Sequence, residues 1–475
     1  MVEASLQRAN MGYIGAIVAV ATIGGFLFGY DSGAVNGTQE GLRQAFGLSD
    51  AGLGFTVGSL LIGCFIGAFL AGRLADLYGR RNVMMVTAIL FTIGALIQGF
   101  AHDHTLFVIA RLMGGMAVGA ASVLSPAYIS EVAPASVRGR LTTLQQIMII
   151  IGLTIAFVVN YFLAQSAGES TASYWAGIEA WRWMYLMQAV PAMIFLVALI
   201  FIPESPRYLV SKGRDEKASQ VLTSLYGKDV ARGKLDEIRA TYAEDHRPRL
   251  SDIKGNGLFG IRPIVWAGIM LAVFQQLVGI NVIFYYGETL WKLAGVSEEA
   301  ALQRNILSGV VSIAACIVTI MVIDKIGRKP LLLIGSAGMA VSLFTMAYAF
   351  NSGTLDATGQ LQLTPNMGMV ALIAANLYVI FFNGTWGPVM WVMLGEMFPN
   401  QIRGSALAVA GFAQWFANYL IAQTFPVMAA WSLTGSYLFY AMSATASAEP
   451  RIWFGNISPS MTHMTGPQVP LKKIT

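Results

Sequence analysis

The chain has 475 residues, of which 56% are apolar and only 12% charged, with 50 glycines and a mean hydropathy of +0.61. An ordinary soluble domain carries about 25% charged residues, so a soluble enzyme or a secreted domain is excluded. The net charge of +5 would suit nucleic acid only if the basic residues clustered with aromatics on one wettable face. They fall instead between hydrophobic stretches, which leaves a polytopic membrane protein.

A helix needs about 20 apolar residues to cross the hydrocarbon layer. Eleven stretches qualify, at 12–35, 51–72, 83–101, 105–127, 141–165, 182–202, 261–287, 304–323, 331–350, 368–394 and 404–430. We number them spans 1 to 11. Span 1 is too long for a cleavable signal peptide and runs on into Tyr30 and Asp31. Cys64 and Cys316 lie inside apolar runs, so no disulfide framework is expected. Between spans 6 and 7 comes the only long polar stretch, 204–260. Ala218, Val221, Leu222 and Leu225 there have helical spacing, which predicts short amphipathic helices, the alternative being an unstructured charged linker. A twelfth span starts at Gly435–Met442 and stops; Thr445–Thr475 is polar, contains Pro450, Pro459, Pro467 and Pro470, and cannot cross a bilayer as one helix. The predicted fold is an all-α membrane protein of two pseudo-symmetric six-helix bundles with a truncated twelfth helix. Its parts are an N-terminal bundle at 1–203, linker helices at 204–260, a C-terminal bundle at 261–444 and a disordered polar tail at 445–475.

The loops alternate in charge. One side holds 22 of the 30 basic residues, including Arg73, Arg80, Arg81, Arg138, Arg140, Arg328 and Arg403. Positive loops stay inside, so the N-terminus is expected in the cytoplasm and the protein in the cell inner membrane.

Two motifs recur. Asp76, Gly79, Arg80 and Arg81 follow span 2, and Asp324, Gly327, Arg328 and Lys329 follow span 8. Glu131, Pro134, Arg138 and Gly139 follow span 4, and Glu396, Pro399, Arg403 and Gly404 follow span 10. Positive loops explain the arginines but not a carboxylate, a glycine and a proline at fixed offsets. Repeated halves around a central site are an architecture of secondary transporters. Asp76 with Arg80 and Arg81, and Glu131 with Arg138, can cross-link helix ends at the cytoplasmic mouth. Static surface pairs worth about 0–1 kcal/mol each are the other reading.

The motifs GRLADLYGRR (72–81), EVAPASVRGR (131–140), PESPR (203–207), QQLVGIN (275–281), GPVMW (387–391) and EMFPNQIRG (396–404) resemble those of the sugar porter branch of the major facilitator superfamily. The resemblance runs over about residues 1–442. It implies two six-helix bundles, alternating access and monosaccharide transport, with no cofactor. It also implies a twelfth helix and a cytoplasmic end motif that this sequence does not show.

Asp31 in span 1 and Arg111 in span 4 are ionisable groups within apolar helices, where charge is costly and marks function by default. Counted along the helices, both lie about 8–9 Å below the outer boundary, so they can pair. Asp31 can take up a proton and Arg111 cannot. Asp31 is therefore the candidate proton-coupling carboxylate, with a fixed ion pair as the alternative; the family carries an acid at this position in its symporters.

A neutral sugar needs groups that donate and accept without charge, beside an aromatic floor. Gln146, Gln275, Gln276, Asn281 and Gln414 supply the amides and Trp391 and Trp415 the rings. Amides bonding helix to helix are the other reading. By resemblance these positions are sugar contacts, with Phe28 and Tyr285 nearby. Gln275, Gln276 and Asn281 cannot share one ideal helical face, which predicts a distortion at Gly279. Leu153 stands where the xylose symporters have a second glutamine, and Asn383 and Thr385 are candidate replacements. Glu288 is expected as a solvated rim residue. Gly114, Gly115, Gly119 and Ala120 allow the close helix contact that Arg111 needs to reach span 1; ordinary core packing is the other reading and suffices. No metal cluster, nucleophile–base pair or phosphate loop is present, so enzyme activity is not expected. The expected partners are a sugar, protons and the lipid bilayer, with no nucleic acid, for a chain acting as a monomer. A sugar–proton symporter is the first reading, an uncoupled facilitator the second and a transporter-like sugar sensor the third.

Overall fold

The computed structural model describes residues 9–134, 137–244, 250–255, 257–355, 361–399 and 402–448. Regular structure among the described residues is helical apart from two isolated bridges and a two-residue antiparallel pair, Thr354–Leu355 with Leu361–Gln362. Among the described residues, eleven helices are long and apolar enough to cross a membrane. They coincide with spans 1 to 11 but often run further. Span 2 is Asp50–Tyr78, span 4 is His104–Val132 and span 5 is Arg138–Ala167.

The ends follow local chemistry. Ser49, Asp103, Ser297 and Thr364 cap spans 2, 4, 8 and 10 by accepting from backbone N–H groups three residues on. Gly79 and Gly327 separate spans 2 and 3, and spans 8 and 9, at φ of 101° and 89°. Only glycine takes that conformation cheaply, and it lets each new helix restart at the next residue, Arg80 or Arg328. The glycine repeated in the sequence is thus the same backbone device used twice. Span 1 (Met11–Ala34) tightens into a 3-10 turn at Val35–Gly37 and resumes as Gln39–Phe46. Span 7 is broken into Pro263–Leu277 and Ile280–Leu293 by Gly279, left-handed at φ 83°. Span 10 contains a π-helical turn, Phe382–Trp386.

Two glycine seams hold span 1 against span 5 and span 2 against span 4. A Cβ on Gly29 or Gly33 would strike the backbone of span 5 at Ile149 or Leu153. A Cβ on Gly115 or Gly119 would strike span 2 at Leu60 or Cys64. Gly115 and Gly119 of span 4 therefore serve span 2, not span 1 as expected; span 4 meets span 1 elsewhere, at Gly24, where a Cβ would lie 2.8 Å from Ser125 Oγ and 3.2 Å from Ala121 Cβ.

The linker contains three helices, Pro206–Ser211, Asp215–Tyr226 and Lys228–Glu244, beside the motifs that follow spans 2 and 4. We call this the basic end. Direct hydrogen bonds between the first six spans and the rest collect at the opposite end. There Gln423 Nε2 of span 11 donates to the Ala51 carbonyl at 3.0 Å, and Ser170 N–H donates to Glu298 at 2.9 Å.

A short helix, Leu433–Ser447, packs chiefly on span 9. It runs past the expected limit at 444 to Ser447, whose Oγ lies 2.8 Å from Ser336 Oγ of span 9. The rest of the predicted tail, 449–475, lies outside the described residues.

Gly115→Val should overpack the span 2–span 4 seam and cost about 1–3 kcal/mol. A lowered melting temperature of the detergent-solubilised protein is the readout, with Gly72→Val, where a Cβ meets open space, as the neutral control.

Candidate functional site

Asp31 and Arg111 meet in the middle of the first half. Arg111 Nη1 lies 3.1 and 3.0 Å from the two carboxylate oxygens of Asp31, and both side chains are buried. Nη2 donates to the Val57 carbonyl of span 2 at 3.2 Å. Gln188 of span 6, also buried, faces the same carboxylate. Each ion loses hydration worth several kcal/mol on burial, which only close contact and further hydrogen bonds offset.

A second polar group fills the core of the other half. Gln414 Nε2 donates to Gln275 Oε1 at 2.6 Å, and Gln276 Nε2 donates to the same oxygen at 3.2 Å. Asn281 Nδ2 donates to Gln276 Oε1 at 2.6 Å and to Asn418 Oδ1 at 2.8 Å. Asn418 Nδ2 reaches the Tyr285 hydroxyl at 3.5 Å. The break at Gly279 turns Asn281 toward Gln276, which a straight helix would not. Trp415 closes one side, with its ring 5.5 Å from that of Phe28 in span 1. Ser32, Val57, Arg111 and Tyr285 border a narrow gap, too small to hold a water molecule, between the ion pair and the Tyr285 end of this amide chain.

Several expected residues stand apart. Gln146 is half-buried, while its neighbour Gln145 is tucked against span 1 at Gly25. Trp391 is 42% exposed and outside the amide chain. Asn383 bonds Ser312 of span 8 at 3.2 Å and Thr385 packs at Gly335 of span 9, so the π-helical turn directs both away. Glu288 is buried, contrary to its expected place on a solvated rim, because span 7 is pressed there against the end of span 1. Sequence reasoning missed Asn418 and Gln188. Asn418 was within reach, being one helical turn from Gln414 on the same face.

Residues 17–449 match the family described as sugar (and other) transporter. The chain belongs to the sugar transporter family. It is similar to the glucose transport protein of Synechocystis, 44% identical over 95% of this chain and 96% of that one. It is also similar to the D-xylose-proton symporter of Escherichia coli K12, 41% identical over 88% and 86%. A partially occluded inward-open structure of the xylose transporter XylE from E. coli superposes with a TM-score of 0.79, at 35% identity over 94% of this chain and all of that one. This sugar transporter is a multi-pass, all-helical membrane protein with the major facilitator fold, not an enzyme.

At its basic end the repeated motifs form matching contacts. Arg80 pairs with Asp76 at 2.9 Å and with Glu131 at 3.2 Å; Arg328 pairs with Glu396 at 2.8 Å. Glu131 thus takes Arg80, along with the Ser205 hydroxyl, in place of Arg138, which is exposed and lines a pocket with it. Glu204 accepts from the backbone N–H groups of Arg80 and Arg81 at 2.9 and 3.2 Å, sealing the start of span 3. Arg81 donates to the Leu199 and Ile200 carbonyls and Arg403 to that of Phe398. The side chain of Asp324 lies outside the described residues. These pairs join helices within one half, so none of them bridges the two.

Arg111→Gln alone should destabilise the fold by about 3–5 kcal/mol, since it leaves Asp31 buried without its cation. The double variant Asp31→Asn/Arg111→Gln should recover most of that loss. Unfolding of Asp31→Asn, Arg111→Gln and the double variant in detergent checks this; a double variant no more stable than the sum of the two singles predicts would show that the pair is not coupled.

Proposed function

We propose that this protein is a secondary active transporter that carries a monosaccharide across the cell inner membrane by alternating access, together with a proton. The basic end and the N-terminus face the cytoplasm in this reading, and the chain acts as a monomer. The buried Asp31–Arg111 pair beside the amide chain is the observation that carries it.

The amides of Gln275, Gln276, Asn281, Asn418 and Gln414 satisfy one another in the absence of ligand. Each can donate and accept, so sugar hydroxyls can replace these bonds without leaving a buried polar group unpaired. Phe28 and Trp415 offer an apolar face to the ring, and Gln146 and Trp391 complete the site as the halves move. Protonation of Asp31 removes one charge of the ion pair. Arg111 then loses its main partner, and because it also lines the space next to Tyr285, the change reaches the end of the amide chain. Coupling follows if the two states of Arg111 favour different positions of spans 1 and 7. The contacts gathered at the end opposite the motifs support a state closed on the outside and open to the cytoplasm. Among the relatives, one is named for xylose with a proton and another for glucose. Leu153 is buried in the span 1–span 5 seam and offers no hydroxyl partner. The contact of Arg111 with both carboxylate oxygens favours one other reading: if the pair stays ionised throughout, the same site serves an uncoupled facilitator.

Asp31→Asn in proteoliposomes should abolish uphill sugar accumulation while leaving counterflow exchange measurable, and wild-type cells given sugar should alkalinise the medium. Undiminished accumulation by the variant would remove Asp31 from coupling. Asn418→Ala should weaken sugar binding by roughly 5- to 150-fold, the cost of about 1–3 kcal/mol for leaving a buried sugar hydroxyl without its amide partner; titration of the purified protein with a panel of pentoses and hexoses measures it.

A further inference from the structure

Glu288 lies in the seam where the halves meet at the end opposite the basic motifs. Its backbone N–H donates to Asn36 Oδ1 at 3.1 Å, and Asn305 Nδ2 donates to that oxygen at 2.7 Å. Asn36 Nδ2 donates to the Phe284 carbonyl at 2.9 Å, Gln39 donates to the Tyr285 carbonyl, and Thr289 donates to Gln39 at 2.6 Å. Gly287 permits this approach, since a Cβ there would lie 2.9 Å from Asn36 Nδ2. The buried bonds of the seam thus join the end of span 1 to the second part of span 7 through neutral groups, with the buried carboxyl of Glu288 among them.

The carboxyl is poorly compensated. Glu288 is 2% exposed, and Oε2 has no hydrogen-bond partner. Oε1 is 3.7 Å from Lys292 Nζ on the same helix. Lys292 is shared with Glu40 of the other half, 4.0 Å away, and Glu298 from the start of span 8 adds a third acid facing the group. One lysine therefore serves several carboxylates. An ionised Glu288 is destabilising in the closed seam and well solvated in an open one.

We propose that Glu288 is a second proton-binding carboxylate, separate from Asp31, whose protonation favours closure of the seam between spans 1 and 7. The sign follows from linkage: protons bind preferentially to the closed form, so acid closes this end and alkali opens it. The proposal rests on the alternating-access reading but not on Asp31 as the coupling group.

The test places spin labels on cysteines introduced at Ala45 and Glu299, both exposed at this end, in the full-length protein in liposomes. Their separation is followed over about pH 4 to 9, the range of buried glutamates. The wild-type distance should lengthen as pH rises. Glu288→Gln should stay short throughout. Lys292→Gln should move the midpoint to higher pH by about one unit or more, as expected on losing a cation within 4 Å, whereas a merely structural role for Glu288 would leave the midpoint unmoved. Asp31→Asn should keep the step. A wild-type profile retained in Glu288→Gln overturns the proposal, as does a wild-type distance that responds to sugar but not to pH. A distance that responds to neither removes the alternating-access reading as well.

Discussion

A carboxylate and a guanidinium cannot be left separate in the interior of a membrane protein, and that constraint orders the first half of this one. Asp31 and Arg111 must come within about 3 Å, which ties spans 1, 2 and 4 together. The glycines make this possible. Span 1 presses on span 5 through Gly29 and Gly33, and span 4 presses on span 2 through Gly115 and Gly119. Arg111 can then hold Asp31 and the Val57 carbonyl at once. Larger residues in either seam would move the helices apart and leave two charges unpaired.

The second half solves a different problem with uncharged groups. Its polar core is a chain of amides, each bonded to the next, and it depends on irregular backbone. The left-handed Gly279 reorients Asn281, while the π-helical turn in span 10 sends Asn383 and Thr385 elsewhere. Irregular helix inside a membrane protein is tolerated where neighbouring groups satisfy the freed backbone. Here the Gln275 amide lies 3.4 and 3.5 Å from the Trp386 and Gly387 carbonyls. The proposed coupling and the proposed sugar site are therefore adjacent but distinct in chemistry, one built on charge and one on neutral donors and acceptors.

Much of the candidate site was legible because its residue types are rare in apolar helices. Asp31, Arg111, Gln275, Gln276, Asn281 and Gln414 each stand out against their neighbours, and the repeated motifs mark corresponding helix ends. Pairing was less legible. Glu131 bonds Arg80, not Arg138, because the helix beginning at Arg138 leaves that side chain exposed while Arg80 sits directly beneath span 4. Glu288 was misplaced for a similar reason. Counting residues along a helix gives depth in the bilayer but not which neighbour covers that depth, and here the end of span 1 covers it.

Composition and periodicity alone determined that this is a helical membrane protein with eleven long spans, a repeated pattern of motifs and a small set of polar groups needing partners. These follow from the cost of exposing backbone or charge to hydrocarbon, which acts residue by residue along the chain. Only the tertiary structure decided which partner each polar group takes, which glycine seam faces which helix, and that Glu288 is enclosed. Those outcomes depend on contacts between residues far apart in the sequence, and no local pattern encodes them.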